Sequence, residues 1–324
     1  MGVTPTRILI TGKNGQLGWA LARSFGQNAD VHAFDRDGLN LADTEAIRRC
    51  CREIKPTLIL NAGAYTAVDR AEQEPELAMQ INGQAPRVLA EEANRLGAAI
   101  IHYSTDYVFA GDAAEPYLED SPTAPQNIYG KTKLVGEQAV CEVADHFLVY
   151  RTSWVYAARG GNFAKTMLRL GQEREHLSVI DDQFGAPTGA DLLADVTAHA
   201  IRQVLQRPQD AGLYHLVASG ETTWNGYAKH VIAQAARVQP AIKTIVKEVA
   251  CVPTSAFPTP ARRPHNSRLD TSRLQTTFGL QLPPWQRGRY GTAVGRAVHA
   301  VLQFADLRTG ANIPALAAAQ AAAE

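Results

Sequence analysis

Five short apolar runs, RILIT (7–11), VHAF (31–34), TLILN (57–61), AAIIHYS (98–104) and FLVYR (147–151), recur through the first half of this sequence. Longer stretches of helical period lie between them, near 17–26, 43–54, 75–96 and 127–144. The runs are nearly continuous in apolar character, as strands covered on both faces by crossover helices have to be. Strict alternation of the two patterns predicts right-handed βαβ units, hence an α/β fold built on a Rossmann-type doubly wound parallel sheet. After about residue 175 the regularity fades and prolines gather in VPTSAFPTPARRP (252–264), which reads as a smaller mixed α/β lobe with long loops over the sheet's carboxyl edge.

Charge narrows the ligand class. Lys+Arg and Asp+Glu each total 32, so no overall field draws the chain to nucleic acid or to an anionic membrane, and a small molecule is the better partner. The neighbours Cys50 and Cys51 lie far from Cys141 and Cys251, a spacing that suits neither a metal nor a disulfide framework, so the thiols read as reduced and structural. No stretch approaches the roughly 20 apolar residues of a membrane span, and the expected setting is cytoplasmic.

The first chemical signal is ITGKNGQLG. Gly12, Gly15 and Gly18 follow the first strand and open the first helix, where a tight turn and close approach of backbone to a pyrophosphate exclude a Cβ. The helix start adds unpaired N–H groups and the positive end of its dipole. Asp35 closes the second strand, 17 residues after Gly18, where a carboxylate can accept from both ribose hydroxyls and favour NADH. Arg36 and Lys13 are cations suited to a 2′-phosphate, so NADPH and NADH both stay open. Small residues Ala62, Gly63 and Ala64 end the third strand and let a flat cofactor lie against backbone. Gln16, Leu17, Asn40, Leu41 and Tyr65 complete the candidate cofactor set. The expected division is therefore 1–175 for dinucleotide binding, to which later segments can return, and 176–308 mainly for substrate. The Ala-rich 309–324 reads as frayed or disordered.

The fourth strand ends in HYSTDYVF, and Tyr129 of IYGKTK follows 24 residues after Thr105. Reduction of a ketone puts negative charge on oxygen, which something must stabilise and protonate. Tyr129 is the candidate proton donor, and Lys133, one helical turn on, is expected to lower the phenol's pKa from its ordinary value near 10. Thr105 can hydrogen-bond the substrate oxygen. A capped helix with a packed tyrosine would also give this spacing, but it leaves the hydroxyl at 105 and the glycine loop without a purpose.

GKNGQLG, NAGAYTAVD, YSTDYVF, YGKTKLVGE, RTSWVY, DQFGAPT and ARRPHNSRL, spread over about residues 7–305, resemble in order the motifs of the dTDP-4-dehydrorhamnose reductases, a branch of the extended short-chain dehydrogenases. The resemblance implies NAD(P)H-dependent reduction of dTDP-4-dehydro-6-deoxy-L-mannose at C4. It places Thr105, Tyr129 and Lys133 on the catalytic positions and Trp154 on the sugar-pocket tryptophan, with Asp106 beside it in the substrate set. Ala157 and Asn40 depart from the family pattern, and Ala20 stands where some members carry the glutamate of a magnesium-linked dimer contact. That absence weighs against magnesium here, while a homodimer stays open. In the second lobe, Arg262, Arg263 and Arg268 carry planar forks suited to a diphosphate, Arg263 foremost. DQFGAPT reads as a turn shaped by Gly185 and Pro187, with Gln183 towards the sugar, and His102, His215 and His265 receive no metal or catalytic role. Two other readings use the same residues: a nucleotide-sugar epimerase or other deoxysugar ketoreductase, and a non-catalytic regulatory subunit similar to that of methionine adenosyltransferase.

Overall fold

The computed structural model describes residues 6–26, 29–238 and 243–286; the Ala-rich tail and the end of the second lobe lie outside them. Six parallel strands form the central sheet. In chain order the elements of its first half are β1 (Arg7–Thr11), α1 (Gln16–Phe25), β2 (Asp30–Phe34), α2 (Thr44–Ile54) and β3 (Leu58–Asn61). Then come α3 (Val68–Ala71), α4 (Pro75–Met79), a π-helical turn at Gln80–Gln84, α5 (Ala85–Leu96), β4 (Ala99–Thr105), α6 (Ile128–Val143) and β5 (Phe147–Thr152). All five apolar runs are thus strands, in parallel register from Ile8 against Leu58 to Ile100 against Phe147.

Successive strand residues feed opposite layers, as the two-residue pleat requires. Ile8, Ile10, Leu58, Leu60, Leu148 and Tyr150 pack on one face, whereas Leu9, Ile59, Ile100 and Val149 pack on the other against α2, α5 and α6. The remaining elements are β6 (Val155–Tyr156), α7 (Phe163–Glu173), β7 (His176–Ile180), β8 (Phe184–Gly185), β9 (Thr188–Gly189), α8 (Ala190–Gln206), β10 (Gly212–His215), β11 (Thr222–Thr223), α9 (Trp224–Val238), β12 (Glu248–Val252) and α10 (Ser272–Phe278).

No single point divides the lobes. β10 adds to the sheet beside β5, and α8 packs on the same face as α1, whereas α7 joins α9, β7 and β12 in a separate apolar cluster. The sheet order β10-β5-β4-β3-β1-β2 reverses direction between β1 and β3, the point at which a ligand crevice opens in such sheets. No described helix is long and apolar enough to cross a membrane.

One buried ion pair fastens α6 to β5. The Arg151 guanidinium donates to Glu137 through Nε (3.0 Å) and Nη2 (2.6 Å), and its Nη1 reaches the Glu119 carbonyl (3.0 Å). Both side chains are within 5% of complete burial. Glu137→Leu leaves Arg151 charged and unpaired, so urea denaturation should show a loss of about 3–5 kcal/mol. A loss below about 1 kcal/mol would mean that the pair does not hold α6 in place.

Candidate active site

Two close backbone approaches shape the loop after β1. Gly12 has φ 73°, and a Cβ on it would sit 2.8 Å from Gly63 Cα; a Cβ on Gly18 would sit 2.1 Å from Gly12 O. Only glycine fits at either place. Gly15 caps α1 without any side-chain hydrogen bond, and the first turn holds no acidic residue, so its N–H groups face outward unneutralised. This is a cradle for a phosphate, and it fits the pyrophosphate of a dinucleotide.

Asp35 follows β2 and is held in place. Its carboxylate accepts from Gly38 N (3.1 Å) and Asn14 Nδ2 (2.6 Å), with Lys13 Nζ at 3.9 Å. The Gly38 N–H, with help from Lys13 and Asn14, keeps this carboxyl below its ordinary range. Lys13 is thus turned onto Asp35, while Arg36 stays exposed, close enough to Glu74 to favour that carboxylate's charge. Leu41 is buried and its Cδ1 lies where a Gly63 Cβ would fall, and Leu17 packs on the core, so both shape the crevice from beneath. Asn40 bonds its own turn through Ala42 N, and Gln16 bridges to Val155 O and Asn162.

The π turn explains the position of Ala62–Tyr65. It carries Asn82, fully buried, whose amide accepts from Tyr65 N (2.8 Å) and donates to Tyr65 O (3.0 Å) and Thr132 Oγ1 (3.2 Å). The Tyr65 hydroxyl donates to Glu74 (2.6 Å). Nothing in the apolar pattern marks Asn82, since a five-residue change of helical pitch leaves no periodic trace.

Thr105, Asp106 and Tyr129 meet at the carboxyl end of β4, with Lys133 one turn further along α6. Asn127 caps α6 through Gly130 N (2.8 Å), and its amide donates to Arg262 O (2.8 Å), fastening the second lobe to the turn that bears Tyr129. Tyr107 packs edge-on against Tyr129, ring centroids 5.4 Å apart. Burial pushes the Tyr129 phenol up to about 12, with the Thr105 hydroxyl pulling it down and Asp106 pushing it up. The expected lowering by Lys133 is therefore not what the structure holds. Its ammonium donates to Tyr103 O (2.6 Å), deep under the sheet edge, and burial brings Lys133 down to about 8 although Glu137 opposes this. Desolvation is the largest cause at both groups.

Other substrate candidates are partnered. Arg263 Nη2 meets Asp69 at 2.6 Å, and both groups act on Tyr107 beside Tyr129. Arg268 pairs with Glu221 and Asn266, and Arg262 with Gln126. Trp154 has φ 48° and stacks on Trp224, centroids 3.6 Å apart, above Gly185. The Gln183 amide donates to Thr254 Oγ1 and accepts from Trp224 Nε1, both at 3.0 Å. DQFGAPT itself supplies two short strands, β8 against β11 and β9 against β6. No group of three or more His, Cys, Asp or Glu side chains able to hold a metal occurs among the described residues, and Ala20 is buried on α1.

The family described as RmlD substrate binding domain matches residues 6–293. The dTDP-4-dehydrorhamnose reductase of Escherichia coli (strain K12) is 54% identical over 286 residues, covering 87% of this chain and 95% of that enzyme. Its Shigella flexneri counterpart is 52% identical over the same coverage. The crystal structure of the Bacillus anthracis str. Ames reductase in complex with NADP superimposes with TM-score 0.80 at 35% identity, covering 93% of this chain and all of that one.

Asp106 offers a test of the site's electrostatics. Burial raises its carboxyl to about 6, although hydrogen bonds from Ser267 and Thr105 oppose the rise. The folded state then holds a proton that the unfolded chain releases near pH 3.8, so ionised Asp106 destabilises the fold above pH 6 and the penalty is absent below about 4. Asp106→Asn should be more stable than the parent at pH 7 by up to about 3 kcal/mol. In urea melts the gap should close as pH falls from 6 towards 4; a gap independent of pH would refute a buried, titrating carboxyl.

Proposed function

We infer the reaction from the premise that the chain belongs to the dTDP-4-dehydrorhamnose reductase family. It is an NAD(P)H-dependent oxidoreductase that reduces the C4 ketone of dTDP-4-dehydro-6-deoxy-L-mannose to give dTDP-L-rhamnose. The enzymes it matches at half identity or more are reductases, which separates it from the epimerase and regulatory-subunit readings. The observation that carries the mechanism is the half-buried Tyr129 phenol beside Thr105, at the mouth of a glycine-lined crevice.

In this reading Gly12, Gly15, Gln16 and Gly18 hold the dinucleotide's pyrophosphate on the N–H groups of α1, and Leu17 supports the loop. Asp35 and Arg36, with Asn40 and Leu41 behind them, flank the adenosine ribose, and Ala62, Gly63, Ala64 and Tyr65 line the crevice. The dinucleotide supplies the hydride. Tyr129 donates its proton to the oxygen that becomes the C4 hydroxyl, and Thr105 hydrogen-bonds that oxygen. Lys133 stabilises the phenolate left behind and bonds the ribose. Asp106 and Trp154 contact the sugar, and Arg263, aligned by Asp69, contacts the diphosphate. The four free cysteines fit a reducing cytoplasm. A homodimer without magnesium belongs to the same proposal.

Two outcomes follow. Tyr129→Phe should lower kcat at least about a hundredfold, the scale of a positioned general acid, while NADPH still quenches intrinsic fluorescence at the parent's concentrations. Near-normal turnover would remove Tyr129 from the chemistry. Asp35→Ala should shift the ratio of kcat/KM values towards NADPH over NADH, because the carboxylate favours an unphosphorylated ribose and repels a 2′-phosphate. An unchanged ratio would take Asp35 out of the ribose site.

A further inference from the structure

Beneath Lys133 a line of buried polar groups crosses three strands. Gly63 N donates to Thr11 Oγ1 (2.9 Å), and the Thr11 hydroxyl donates to Asn61 Oδ1 (2.7 Å). Asn61 Nδ2 lies 3.0 Å from His102 Nδ1, and His102 Nε2 lies 3.5 Å from Lys133 Nζ. Thr11, Asn61, His102 and Lys133 are each at most 2% exposed. The sheet register creates the line, since Thr11 stands opposite Asn61 and Asn61 opposite His102.

The donor count gives the line a direction. Thr11 accepts from Gly63 N–H and gives its one hydroxyl proton to Asn61 Oδ1. That oxygen is therefore the acceptor, and Asn61 Nδ2 is the donor aimed at the ring. His102 Nδ1 must be bare to receive that proton. A neutral ring then carries its hydrogen on Nε2, facing the lysine. An ammonium at Lys133 meets a donor there, and its acceptor is Tyr103 O, on the same strand as His102.

We propose that Thr11, Asn61 and His102 are positioning residues for Lys133: by presenting an N–H instead of a lone pair, the ring keeps the ammonium off itself, directs it to the Tyr103 carbonyl and lowers the pH at which it loses its proton. The inference rests on the reading of Lys133 as the catalytic lysine. Burial and then the neighbouring ammonium hold His102 well below the usual histidine range, which keeps the ring neutral. Glu137, on the next turn of α6, favours the ammonium but is committed to Arg151 of β5. Glu72, from the α3–α4 side, is bonded to Ile128 N at the start of α6, and Asp106 and Tyr129 lie at the carboxyl end of β4.

Long-range 1H–15N correlation spectra of the ligand-free protein decide the tautomer, with the His102 signals assigned by their loss in His102→Gln. Protonated Nε2 and bare Nδ1, unchanged from pH 6 to 9, are expected; the reverse tautomer overturns the proposal. The second arm is the pH profile of kcat. The parent should lose rate above about pH 8 as Lys133 deprotonates. His102→Gln offers an amide oxygen to the ammonium, and Asn61→Leu frees the ring to offer a lone pair, so in each the alkaline limb should move up by about one pH unit, a tenfold gain in proton affinity. A limb that stays put in folded variants overturns the positioning role. Should both variants fail to fold, the parent's tautomer decides alone. Near-normal rates in Lys133→Met would instead refute the catalytic lysine, a result separate from the tautomer.

Discussion

Helix α6 buries two ionisable side chains one turn apart, Lys133 and Glu137, on the face it lays against the sheet. Removing charge from water is costly, so each has to find compensation within the sheet. Glu137 finds it in the forked Arg151 guanidinium of β5, and Lys133 finds one carbonyl and an unhelpful histidine on β4. The difference is instructive. A paired group is fixed and inert, whereas a half-compensated one is ready to release a proton. The strand order that places β4 and β5 side by side under α6 supplies both environments.

The same sheet order governs the other half of the site. β1 and β3 are neighbours at the reversal point, so the loop after β1 and the loop after β3 touch, with Gly12 against Gly63. Side chains at either glycine would separate the loops and close the crevice. The second lobe is fastened to this frame by backbone and carboxylate contacts, Asn127 to Arg262 and Asp69 to Arg263, all near the turn bearing Tyr129. Trp154 adopts a left-handed φ, which costs a non-glycine residue on the order of 1 kcal/mol or more. Its stack on Trp224 and the bare face of Gly185 offset that strain.

The parallel sheet was legible because buried strands write themselves as apolar runs, and the glycine loop because sterics permit no substitute. What escaped reading depended on pairings across long separations. β10 is a four-residue strand, GLYH, too short to stand out from its surroundings, yet it completes the sheet edge. Asn82 acts through a local change of pitch, and Trp224 acquires meaning only when stacked on a residue 70 positions earlier. The partners that occupy the Gln183 amide are likewise distant, 41 and 71 residues away. Local spacing did place Tyr129 and Lys133 one turn apart. It could not show that burial would dominate their proton affinities.

That dominance bears on when the proton moves. A phenol raised to about 12 is almost wholly protonated at neutral pH, so it is a poor base for stripping a sugar hydroxyl. It is a suitable donor to an alkoxide, whose proton affinity exceeds its own as hydride arrives at the carbonyl. The Thr105 hydroxyl eases the phenolate's formation at that moment, and Asp106 can oppose it only while ionised, above about pH 6. Burial raises the tyrosine and lowers the lysine together, so the proton passes to the substrate oxygen only once the arriving hydride has made it an alkoxide.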